Sequence, residues 1–86
     1  MQPLIPDEMI ETIRSAVKQL GEKAATHRFT AGEKKALADV IYTYKNSGIK
    51  TSENEIARIA INYLIEDYRK NGQLSVLVTV LERLKA

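Results

Sequence analysis

The chain has no cysteine and a single histidine. Without a thiol there is no disulfide staple, no thiolate metal site and no thiol nucleophile. His27 has no second histidine at metal-ligand spacing, so it reads as a strand or loop residue rather than a ligand. No glycine-rich loop precedes a Lys-Ser/Thr pair, which excludes a P-loop. Ser15, Ser47, Ser52 and Ser75 have no accompanying base. Glu66 and Asp67 point to different faces of a helix and read as exposed charge, not as a tuned acid–base pair. Neither an enzyme nor a cofactor or metal is expected. A long hydrophobic run is missing too: the most apolar tract, Leu74 to Leu81, is far too short to span a bilayer. The start, QPLIPDEM, is acidic where a signal peptide is basic. These absences predict a cytoplasmic protein with no membrane partner.

The 86 residues, 44% of them apolar, predict one small folded domain rather than disorder. At this size a single core gives thin stability, and dimerisation is a usual remedy. The net charge of +2 is mild, but its distribution is uneven. Lys18, Lys23, Arg28, Lys34, Lys35, Lys45 and Lys50 face only Glu22, Glu33 and Asp39 in the same stretch. The first seventeen residues lean acidic, and the charges from Thr51 onward balance.

Four elements can be placed. Pro6 with Asp7 and Glu8 suits a helix start; Ile10, Ile13, Val17 and Leu20 form its apolar stripe and Gly21 its stop. Thr26 to Phe29 read as a short extended segment, with Phe29 and Arg28 on opposite sides. Thr30 and Glu33 have capping-box spacing, and the helix they open buries Leu37, Val40, Ile41 and Tyr44 before Asn46-Ser47-Gly48 ends it. A third helix runs from about Ser52 to Lys70 and stops at Asn71-Gly72. Leu74, Leu77, Leu81 and Leu84 give a last helical stripe, although SVLVTV alone has strand-like propensity.

The run GIKTSENEIARIAI, Gly48 to Ile61, carries the most information. Gly48 suits the positive φ of a helix stop, and Ser52 with Glu55 forms a second capping-box pattern. Ile56, Ile59, Ala60, Tyr63 and Leu64 recur at helical spacing, while Ala57, Ile61, Ile65 and Tyr68 are apolar as well. Only Glu55, Arg58, Asn62, Glu66 and Arg69 remain as a narrow polar stripe. Such a helix requires cover on most sides, which a second copy of the chain would supply. It is a poor recognition helix for a helix-turn-helix, since each isoleucine laid beside phosphates forfeits roughly 1.5–3 kcal/mol of burial. A different DNA-binding geometry suits it better: a short strand pairs with its twin, the ribbon enters the major groove, and the second helices build the dimer core.

The stretch HRFTAGEKKALADVIYTYKNSGIKTSENEIARIAINYLIEDY resembles the ribbon-helix-helix (Arc/MetJ-type) family. The strongest match is S-x-N-E-I-x-R-x-A-I at Ser52, Asn54, Glu55, Ile56, Arg58, Ala60 and Ile61. The resemblance implies a mainly α ribbon-helix-helix homodimer. It would have a short intersubunit antiparallel β-ribbon and extra helices at both ends: an extension over 1–23, the core over 24–71 and a last helix over 72–86. It further implies base contacts from Ala24, Thr26 and Arg28, with Arg28 bidentate to a guanine edge. Phosphate contacts would come from Lys50, Thr51, Ser52, Glu53 and Asn54 at the helix start. The dimer core would hold Phe29, Ile56, Ile59, Ala60, Tyr63 and Leu64. The expected function is then sequence-specific binding of double-stranded DNA by a repressor-like transcriptional regulator. The alternative is an all-helical interaction module or an antitoxin, its terminal helices docking a partner protein. Arg58 reads as a fold residue, pairing with Glu55 or Asn62 on its own stripe.

Overall fold

A computed structural model describes residues 5–24 and 26–86. Among these, every regular element is helical: α1 (Asp7–Lys18), α2 (Ala31–Asn46), α3 (Glu53–Asn71), a 3-10 turn (Gly72–Leu74) and α4 (Val76–Leu84). This overturns the expected ribbon-helix-helix fold. Ala24 and residues 26–30 lie outside any strand or helix, with exposed side chains; Ala25 falls outside the described residues. The physical reason has two parts, weak local preference and the lack of a partner. Ala24, His27 and Arg28 have little strand preference, and a strand persists only when its N–H and C=O groups find a second strand. No described segment pairs with this one.

Residues group into two compact units, 1–19 with 58–86 and 20–57. In the first, α1 is tied to α3 at both ends. Lys70 pairs with Glu8 near the start of α1. At its other end the Arg58 guanidinium donates to the carbonyls of Ala16 (2.7 Å), Val17 (3.2 Å) and Gln19 (2.5 Å). The two ties make α1 antiparallel to residues 58–70. They also explain where α1 stops: the carbonyls that a further turn would use are already engaged, at the negative end of the dipole where a cation is favoured. Gln19 turns to extended backbone, so Leu20 does not continue the α1 stripe as expected and is 90% exposed. Arg58 thus serves the fold through α1, not through Glu55. Asn62 does approach it, donating 2.7 Å to its backbone carbonyl.

The α3–α4 corner is polar and buried. The Asp67 carboxylate, 7% exposed, accepts from the Val76 N–H at 2.7 Å and from the Asn71 amide at 2.8 Å. Ser75, fully buried, caps α4 by accepting from the Val78 N–H at 3.3 Å. These two acceptors at the positive end of α4 override the strand preference of SVLVTV. Asp67 is therefore not the solvent-exposed charge that its neighbour Glu66 suggested. Leu74 sits in the 3-10 turn and stands 88% exposed, off the α4 stripe on which it was expected.

The second unit holds α2 and the first turn of α3. Thr30 and Glu33 form the expected reciprocal box: the Glu33 N–H donates to the Thr30 hydroxyl (3.0 Å) and the Thr30 N–H to the Glu33 carboxylate (2.8 Å). The second box is half formed. The Glu55 N–H donates to the Ser52 hydroxyl (3.0 Å), but the Glu55 carboxylate accepts from the Thr51 hydroxyl instead (2.7 Å). Gly48 has φ +82°, with Gly48 N–H on the Lys45 carbonyl and Ile49 N–H on the Tyr44 carbonyl. That is the paired bonding of a left-handed helix stop, which glycine adopts without strain.

Candidate functional site

The second unit carries the residues singled out for DNA. Thr26, His27, Arg28 and Phe29 lead into the α2 cap, all exposed. His27 and Phe29 line a hollow with Glu53, Asn54 and Ala57, so the segment lies against the first turn of α3. Arg28, Lys23, Lys45 and Lys50 are exposed and form no ion pair among the described residues. Lys45 and Lys50 line one hollow with Ile41 and Thr51. Lys34 is different: its ammonium holds both carboxylate oxygens of Glu53, at 2.8 and 2.9 Å. Lys35 pairs with Asp39 on the surface of α2 at 3.1 Å.

The start of α3 is already partly satisfied from within. Ser52 takes the Glu55 N–H, its carbonyl takes the Ile56 N–H at 2.9 Å, and the Thr51 hydroxyl is given to Glu55. Glu53 sets a carboxylate there, neutralised by Lys34. The N–H groups of Glu53 and Asn54 have no acceptor among the described residues, which is ordinary for a first helical turn.

The residues assigned to a dimer core are not enclosed by their own chain. Phe29, Ile59 and Ala60 are exposed, and Ile56, Tyr63 and Leu64 are half-buried. Around α3, Ile61, Ile65 and Tyr68 are also exposed. Met9 is the one buried apolar residue among those described. Sequence reasoning missed two features of this landscape. It passed over the Asp67–Asn71–Ser75 cluster, whose signal is a serine directly before an apolar helix, and it placed Val40 and Tyr44 on a buried face of α2 where they stand open.

The Lys70 ammonium, hydrogen-bonded to Glu8, holds that carboxyl below its ordinary range. Among the described residues no three His, Asp or Glu side chains converge as metal ligands. No helix among them is long and apolar enough to cross a membrane. Comparison of the chain with known protein families, with curated proteins and with solved structures returns no match.

Proposed function

We propose that this chain is an all-helical interaction module that works as a homodimer, its core completed by apolar faces of a second copy. One observation carries the reading: among the described residues a single apolar residue is buried while sixteen large apolar side chains, from Ile10 to Leu84, are exposed. Sedimentation equilibrium tests this. The expected mass is twice that of the chain, with helicity at 222 nm falling on dilution as dimer dissociates. A folded monomer at micromolar concentration overturns the reading.

A second reading gives that dimer a task, the binding of double-stranded DNA. It is favoured by exposed cations at two places, Lys23 and Arg28 on the non-helical segment before α2 and Lys45 and Lys50 at the turn after it, none of them in an ion pair among the described residues. With four phosphate contacts, affinity should fall roughly 150-fold between 50 and 200 mM salt. Fluorescence anisotropy of labelled duplex DNA measures this, and Arg28→Ala should weaken binding without changing the dimer mass. Binding that ignores salt, or ignores Arg28→Ala, removes this reading while leaving the first.

A further inference from the structure

We propose that Asn71–Gly72 is a self-modification site: the asparagine deamidates when the α3–α4 corner opens, and the carboxylate it leaves opposite Asp67 keeps α4 from closing again.

The chemistry needs only this dipeptide and water. The Gly72 backbone nitrogen attacks the Asn71 side-chain amide carbon and forms a carbon–nitrogen bond. The bond from that carbon to its own nitrogen breaks, and ammonia leaves carrying the proton that Gly72 gave up. The five-membered imide then adds one water. Opening at the side-chain carbonyl gives aspartate; opening at the backbone carbonyl gives isoaspartate. No oxidant or cofactor enters. Asn71 is the one asparagine followed by glycine, whereas Asn46, Asn54 and Asn62 precede serine, glutamate and tyrosine. Glycine has no side chain to shield the attacking nitrogen.

The folded corner withholds the reaction. Asn71 has ψ −12°, whereas the imide ring places Cβ, Cα, the carbonyl carbon and the Gly72 nitrogen near one plane, far from that helical value. Its amide is held as well, donating to the Asp67 carboxylate at 2.8 Å. Asn71 is exposed at the end of α3, so both restraints lapse in a local opening and do not need global unfolding.

The product fits this corner badly. Deamidation turns the donor facing Asp67 into a second carboxylate, and two acceptors cannot bond each other while both are ionised. Asp67 is buried, and its other oxygen holds the Val76 N–H at 2.7 Å. The repulsion therefore falls on the group that caps α4. Isoaspartate adds a further fault, because its side-chain methylene enters the main chain between α3 and the 3-10 turn. The change is one-way: the chain loosens α4 with age.

Full-length protein incubated at mildly alkaline pH, with and without denaturing urea, tests this by mass spectrometry of its tryptic peptides. In urea Asn71 should convert about tenfold faster than Asn46, Asn54 or Asn62, and without urea it should slow by about tenfold as the corner closes. Asn71→Asp and Asn71→Ala both lose the amide donor, but only aspartate adds charge. Hydrogen exchange of the α4 amides should be roughly tenfold faster in Asn71→Asp than in Asn71→Ala. The deamidated wild-type chain, purified by ion exchange, should show the same fast exchange without any substitution. An Asn71 no faster than the other asparagines in urea overturns the site. Equal rates with and without urea overturn its gating by the corner, and α4 exchange unchanged in the deamidated chain overturns the latch.

Discussion

Replacing Asp67 separates the two things a buried carboxylate can contribute, its charge and its acceptor geometry. One oxygen takes the Val76 N–H, which α4 leaves without an intrahelical partner, and the other takes the Asn71 amide. In Asp67→Ala both acceptors vanish. Loss of the cap costs about 1 kcal/mol, and stranding the donors in a part-buried corner adds about 1–2 kcal/mol, for about 2–3 kcal/mol in all. Asp67→Asn behaves differently. Its carbonyl can keep the Val76 N–H, and its own amide can donate to Asn71 once that side chain turns its oxygen inward. Only the interaction of a negative charge with the α4 dipole is then lost, about 0.3–1 kcal/mol. Urea unfolding followed at 222 nm, with all variants at one protein concentration, measures both. The reasoning fails if asparagine destabilises as much as alanine, because charge rather than acceptor geometry would then dominate. It also fails if alanine costs less than 0.5 kcal/mol.

Three further outcomes follow from contacts already described. Arg58→Lys should loosen α1, since one ammonium cannot span three carbonyls as the guanidinium fork does; hydrogen exchange should show the α1 amides losing protection while those of α2 keep theirs. Gly48→Ala should cost about 1–2 kcal/mol, because a β-carbon at φ +82° is strained even though nothing nearby obstructs it; Gly21→Ala, with no positive φ, is the neutral control for the same denaturation assay. The Glu8–Lys70 pair sets a pH dependence of known sign. The folded-state carboxyl titrates below its unfolded value, so its stabilisation is complete above the unfolded pKa and fades as pH falls through the folded one. Lys70→Met should return the Glu8 carbon resonance to an ordinary titration curve, and an unchanged curve would contradict the pairing.

What could be read from the chain were the features written within a few residues of one another. The Thr30–Glu33 box, the Gly48 stop, the Asn71-Gly72 stop and the four helices are of this kind, since capping and helical period are local properties. The failures are non-local. Thr26 to Phe29 look extended because they are not helical, but a strand is made by its partner, and propensity names no partner. Arg58 finds its acceptors 39 to 42 residues away, so its own stripe offered it the wrong ones. Asp67 looked exposed beside Glu66 because nothing in the local pattern shows the chain folding back to bring Val76 over it. Of the residues proposed for DNA or for a dimer, the sequence supplied the candidates, and the structure adds their exposure.

The long reach of Arg58 has a consequence in time. On a ribosome α1 is made before its anchors: the guanidinium that seals its end follows some 40 residues later and the Lys70 that ties its start follows 62 residues after Glu8. At translation speeds of about 5–20 residues per second, that interval is roughly 2–8 seconds for the nearer anchor. Throughout it α1 lacks both of these anchors, while the 20–57 unit is completed in between. α1 leaves the tunnel well before either of its anchors, which makes it a stretch that a chaperone, or another nascent copy, would find open.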